Sequence, residues 1–174
     1  AINSIENDKK FSEDREKPVH YEELSDKIEY EIVKFLNDLG KNHLSNESKA
    51  LVRSQIRISG ELESLGDSGE SISRSLLHMK AYGKHLTTEH VAKLSQMVGL
   101  LSQAYEDMIW NLENAGHLKD ITNAELDEKA INEFRDDCRD AELSGPDVSV
   151  FYLNTLEQLE KMGDFLINIS QSIV

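Results

Sequence analysis

Glu63 and Asp67 stand four residues apart, and Glu160 and Asp164 repeat that spacing inside the related strings LESLGD (62–67) and LEKMGD (159–164). On a helix, residues four apart share a face, and two carboxylates there repel by some tenths of a kcal/mol unless a cation or a base lies between them. Each string follows a helix that carries a second such pair, Glu22 with Asp26 before the first and Glu128 with Asn132 before the second. If Glu22 and Asp26 face Glu63 and Asp67, four carboxylates converge on a hard, oxygen-rich patch suited to Mg, Ca, Mn or Fe and not to a thiolate metal. Asn132 leaves the second set one charge poorer. In the frame set by Leu62 and Leu65 the acids turn away from the apolar seam, which places them near the surface. The competing account is a set of solvated acidic faces.

Sliding the sequence against itself by 97 residues sets 62–73 on 159–170 with six of twelve positions identical. Leu62 falls on Leu159, Leu65 on Met162, Ile72 on Ile169 and Leu76 on Ile173. The second and fifth helices therefore read as copies, and the chain as two similar units, about 18–83 and 84–174. Glycine adds weight: Gly60, Gly66, Gly69, Gly99 and Gly163 fall inside helical patterns, where each costs up to about 1 kcal/mol against alanine. Two explanations stay open, close approach of a neighbouring helix or backbone access for a ligand beside the carboxylates.

The elements that must position these residues follow from three-four spacing. Ser25, Ile28, Ile32, Phe35 and Leu39 give a first helix over about 20–39, closed by Gly40. Ser45 caps a long second helix whose seam runs from Leu51 through Leu62, Leu65, Ile72, Leu76 and Met79 to Gly83. Thr87 and Thr88 open a third, with Val91, Leu94, Val98, Leu101, Tyr105, Met108 and Leu112 on its inner face, ending at Gly116. Thr122 and Glu125 have capping-box spacing for a fourth, striped by Leu126, Ala130, Phe134, Cys138 and Ala141. Ser144, Gly145 and Pro146 punctuate before a fifth that starts near Asp147 and reaches the end. The fold expected is an all-α antiparallel bundle of five long helices, with residues 1–17 a polar linker or frayed lead-in.

Composition removes other classes. The 174 residues carry 19 Lys and Arg against 33 Asp and Glu, a net charge of −14, which opposes the phosphate neutralisation that nucleic-acid binding rests on. Two prolines leave room for long helices. The longest apolar run, Met97 to Leu101, is far short of the roughly 18 residues of a membrane span. A single cysteine, Cys138, cannot form an internal disulfide and is expected in the core. A ferritin-like di-metal enzyme needs Glu-x-x-His pairs, and none of the six histidines has Glu three residues before it; they are expected as surface or capping residues. No Gly-x-Ser-x-Gly elbow is present. Trp110 and Tyr105 lie near the outer edge of the third helix, as core packing or as an anchor for a partner helix.

LESLGD and LEKMGD resemble the repeated Leu-Glu-Arg-Ile-Gly-Asp motif of the phosphate-uptake regulator family, PhoU, and of the PhoU-like domains that follow the membrane part of bacterial sodium/phosphate cotransporters. The resemblance covers about 20–174, and IEYEIVKFL (28–36) with the loop after it is similar to the cotransporter version. It implies a pair of three-helix bundles with a regulatory, non-catalytic role, whose acidic motifs hold iron or zinc clusters at the surface. Glu22, Asp26, Glu63 and Asp67 would form one such site, and Glu128, Asn132, Glu160 and Asp164 the other. The motif's Arg is Ser64 and Lys161 here, its Ile is Leu65 and Met162, and Asn132 replaces an acid. The family has six helices and five are counted here, so the opening helix of the first bundle would precede residue 20. The implied function is regulation of phosphate transport through protein contacts, as the tail of a cotransporter on the cytoplasmic face of the inner membrane. The implied partners are a transporter's membrane domain or a phosphate-signalling protein such as a sensor kinase, and a homodimer stays open. The alternatives are a free-standing cytoplasmic regulator and a purely structural helical interaction module.

Overall fold

A computed structural model of the chain describes residue 2 and residues 8–173. Five helices follow in order: α1 (Asp8–Gly40), α2 (Asn46–Ala81), α3 (Thr88–Glu113), α4 (Thr122–Leu143) and α5 (Val150–Gln171), with no strand among the described residues. The chain is an all-α helix bundle. No described helix is long and apolar enough to cross a membrane.

The ends of these helices are set by local chemistry. Ser45 accepts the Ser48 N–H at the start of α2 and Ser149 accepts the Tyr152 N–H at the start of α5. At the end of α2, Gly83 adopts φ +64°, its N–H donates to Lys80 O and the Lys84 N–H donates to Met79 O, the paired bonds that a left-handed glycine makes possible. α3 opens on a reciprocal cap in which Thr87 Oγ1 accepts the His90 N–H and His90 Nδ1 accepts the Thr87 N–H. The other ring nitrogen, Nε2, lies 3.0 Å from Glu142 at the end of α4, and Glu142 also accepts the Ser149 N–H at 2.6 Å. His90 stacks on Tyr152 with ring centroids 4.2 Å apart. One capping histidine thus ties together the ends of three helices.

The core lies where α5 is surrounded. Leu76 and Met79 of α2, Leu94, Met97 and Met108 of α3, Ile131 of α4, and Leu156 and Ile169 of α5 are almost completely buried. α5 packs against α2, α3 and α4, whereas α1 packs against α2. Ser54 Oγ donates to Ser172 O, and Asn168 Nδ2 donates to Glu61 at 3.2 Å, so α2 and α5 run antiparallel. Leu65 and Met162, equivalent positions of the repeat, line one apolar groove of about 460 Å³ with Leu101, Tyr105 and Leu159. The two motif copies therefore lie on adjacent, antiparallel helices and share one groove.

Five expectations are corrected. Of the apolar seams read on α2 and α4, Leu51, Leu62 and Leu126 are exposed. The described part of the 1–17 lead-in is helical: α1 begins at Asp8 and runs through Pro18, because Lys, Glu and Arg are good helix formers whether or not a face is buried; residues 1 and 3–7 of that expectation lie outside the described residues. The Thr122 capping box does not form. Ile121 is the cap residue and makes no side-chain bond, and Asp120 instead accepts the Thr122 N–H. On α3, Val98 and Tyr105 are exposed while Met97, Ala104 and Asn111 are buried, since packing against both α4 and α5 turns the buried arc toward the side between them. On α1 the expected inner face is open: Ile28, Ile32, Phe35 and Leu39 are exposed and Leu36 is the buried contact. Cys138 is buried, as expected, and Trp110 is exposed.

Candidate functional site

Both acidic motifs sit where a helix crosses its predecessor, and the motif glycine is the point of contact. A Cβ on Gly66 would lie 2.7 Å from Ser25 Oγ of α1 and 3.7 Å from Glu22 Cα, and a Cβ on Gly163 would lie 3.0 Å from Ile131 Cδ1 of α4. Gly60, Gly69 and Gly99 face open space. Of the two explanations for the helical glycines, close helix approach therefore accounts for the two inside the motif. Ser25 and Ile131 are 106 residues apart, as are Glu22 and Glu128, and Asp26 and Asn132. The pairs α1·α2 and α4·α5 are thus equivalent crossings, and their acids occupy equivalent places.

At the first crossing, carboxylate oxygens of Glu22, Asp26 and Asp67 all lie within 4.8 Å of one another, Glu22 half-buried and the other two exposed. Burial and the charges of Asp26 and Asp67 push the Glu22 carboxyl up from its ordinary value. Glu63 is likewise pushed up, first by burial and then by Asp67, with Asp26 and Glu29 adding to the effect and a Ser64 hydrogen bond opposing it. Glu63 stands beside the trio and not in it. The neighbouring base, Arg74, is held by Glu70. The donor set is all carboxylate, which fits a hard divalent cation.

The second crossing has the opposite electrostatics. Arg135 Nη1 lies 3.2 Å from Glu160 Oε1, with both side chains largely buried. The Glu160 carboxyl is pushed up by burial and by Asp164, and Arg135 pulls it back. Asn132 Nδ2 donates to Glu128 at 2.6 Å, and Asn132 Oδ1 is buried without a partner among the described residues. Glu128, Asn132, Glu160 and Asp164 make no cluster of three carboxylates among the described residues. The position equivalent to Arg135, 106 residues earlier, is Glu29. A cation is built into the second set where the first has another acid. Sequence reading missed Arg135, although its place one turn after Asn132 puts it on the same face.

A third acidic contact carried no sequence signal. Asp127 of α4 is pushed up to about 6 by burial, then by a hydrogen bond to Asp107 of α3 and by that residue's charge. A raised carboxyl favours the folded state when protonated, so its contribution is full below 3.8 and is lost as pH rises through about 6. Asp127→Asn is expected to gain about 1 kcal/mol over wild type at pH 7.5, after solvent screening, and nothing at pH 3.5. Urea midpoints at the two pH values check this, and an equal difference at both would contradict it.

Comparison with protein-family models, curated proteins and solved structures finds no match.

Proposed function

We propose that this chain is a non-enzymatic regulatory domain of phosphate transport, of PhoU type and most like the tail of a sodium/phosphate cotransporter, acting through protein contacts. The observation that carries this reading is the duplicated acid-glycine-acid motif, found at two equivalent helix crossings with its glycine as the contact point. Such a domain faces the cytoplasm, and its partner is the membrane part of a phosphate transporter or a phosphate-signalling protein. The test is purification from membranes of the source cell under mild detergent. A phosphate transporter or a sensor kinase should be held by the chain, and its absence would remove the regulatory reading.

Glu22, Asp26 and Asp67, with Glu63 alongside, are the residues that would hold a divalent cation, and iron suits their oxygen donors better than zinc. Bound there, the ion supplies positive charge that relieves carboxylate repulsion and ties α1 to α2. Arg135 already performs that service in the second set. Metal analysis after anaerobic loading should therefore find one ion per chain, removed by Asp26→Asn with Asp67→Asn. No bound ion, or two, would overturn this part of the reading while leaving the partner contact to be judged on its own.

A further inference from the structure

The His90 ring makes two bonds that it cannot keep in both of its charge states. The Thr87 N–H donates to Nδ1 at 3.3 Å, so Nδ1 holds a lone pair and the proton of the neutral ring sits on Nε2. That Nε2–H donates to Glu142 at 3.0 Å. A second proton enters at Nδ1, where it would point at the Thr87 N–H, two donors facing each other with no acceptor between them. Proton uptake therefore breaks the Thr87 bond or displaces the ring from Glu142. Thr87 is exposed, and water can take over its N–H. Glu142 is less easily replaced: its side chain is 10% exposed and that of His90 14%, and a charged ring binds a carboxylate roughly twice as strongly as a neutral one. Tyr152 adds to this hold, because its ring stacks on His90 at 10° with centroids 4.2 Å apart, an arrangement that favours a cation. The bond to Thr87 is the one that gives way.

Other charged groups surround the ring. Lys84 and His85 of the α2–α3 connection and Asp147 of the α4–α5 connection line a cavity of about 410 Å³ together with His90, and Glu89 precedes it on α3. Asp147 and Glu89 favour a charged ring, Lys84 and a charged His85 oppose it, and Glu142 is bonded to it directly. The Tyr152 hydroxyl is pushed up by burial first, then by Cys138 and by the charges of Glu142 and Glu89, and so stays neutral. Thr87 ends the connection that leads from the first unit into the second. At its other end Gly83 and Lys84 are fixed by their bonds to α2, and Leu86 between them is buried, so what Thr87 can release is the cap and first turn of α3. We infer that His90 is a proton-operated switch at this joint: neutral, it locks the connection onto the first turn of α3, and protonated, it frees that cap and grips Glu142 and Tyr152 more tightly. Gln, a usual residue at this place in such a cap, would hold the Thr87 N–H at every pH. Histidine makes the cap depend on a proton.

Nitrogen-15 NMR of the intact wild-type protein tests this without a variant. At about pH 8 the His90 ring should carry its proton on Nε2 and none on Nδ1. As the ring takes up its second proton, the hydrogen-exchange protection of the Thr87 amide, corrected for the intrinsic pH dependence of exchange, should fall about fivefold. The Nε2–H should stay protected through the same change, because Glu142 keeps it. His90→Gln supplies an acceptor that does not titrate, and in that chain the Thr87 protection should be flat over the same range. The proposal is overturned by a proton on Nδ1 at the alkaline end, or by Thr87 protection that stays constant while the ring is protonated. It is also overturned if the charged ring loses the protection of its Nε2–H, which would mean that it leaves Glu142 and keeps Thr87, or if Thr87 protection falls as much in His90→Gln as in wild type.

Discussion

Replacing Gly163 by valine is expected to destabilise the chain by about 2 kcal/mol or more. The new Cβ would lie 3.0 and 3.1 Å from two carbons of Ile131, and Ile131 is 1% exposed in the middle of the core. Close-packed interiors cannot yield a few tenths of an ångström at such a point without moving a helix. Replacing glycine by valine in a helix interior returns only about a few tenths of a kcal/mol in propensity, and the crowding of the added carbons outweighs it. Gly60→Ala, Gly69→Ala and Gly99→Ala make the contrast, since nothing lies within 4 Å of the added carbon; each should stabilise by roughly 0.5–1 kcal/mol. Gly66→Ala falls between them, because the obstructing atom is the rotatable Ser25 hydroxyl, which must give up its bond to Glu22 O. Urea midpoints at constant m-value separate these cases, and a Gly163→Val chain as stable as wild type would mean that α4 and α5 do not cross at that glycine.

The second large effect is expected at Arg135. Arg135→Met should cost about 1–2 kcal/mol at pH 8, because it leaves the largely buried Glu160 facing Asp164 with only the weaker influence of Lys161 to offset it. The Glu160 carboxyl is held above its ordinary value by burial and by Asp164. Its ionisation therefore opposes folding as pH rises through that raised value, and Arg135 limits the loss. In acid, with Glu160 protonated, the Arg135 guanidinium keeps only the half-exposed Asp136 beside its Nε at 2.9 Å, so the cost of Arg135→Met should shrink. A cost independent of pH would assign Arg135 a packing role alone. The reciprocal change, Glu29→Arg, should gain a few tenths of a kcal/mol in metal-free buffer by supplying the first set with the base it lacks.

The fold class and the helix order were legible because three-four periodicity, Ser and Thr caps and terminal glycines all point the same way. The Leu76, Leu94, Met108 and Leu159 positions were read as interior and are buried. The repeat was legible too, since it needs only self-comparison. The α1 face was not read correctly, because periodicity reports that a helix has an apolar side and not whether a neighbour covers it. Ile28 and Phe35 have the pattern of core residues and lie open. At the site, Glu22, Asp26 and Asp67 come together, whereas Glu63, expected with them, stands outside the trio. The difference between the two sets was only half legible: Asn132 announced a lost charge, whereas the exchange of Glu29 for Arg135 became visible once the two crossings could be superposed. Asp127 meets Asp107 from another helix 20 residues away in sequence, a contact that no local spacing encodes.

The most direct test of the account is phosphate uptake in the source cell, comparing the intact chain with one carrying Asp26→Asn and Asp67→Asn at equal abundance and equal melting temperature. The account predicts that uptake in the variant cells no longer adjusts to phosphate supply while the transport step itself persists. An uptake response identical in the two cells would contradict it and leave the acidic crossing as a solvated face.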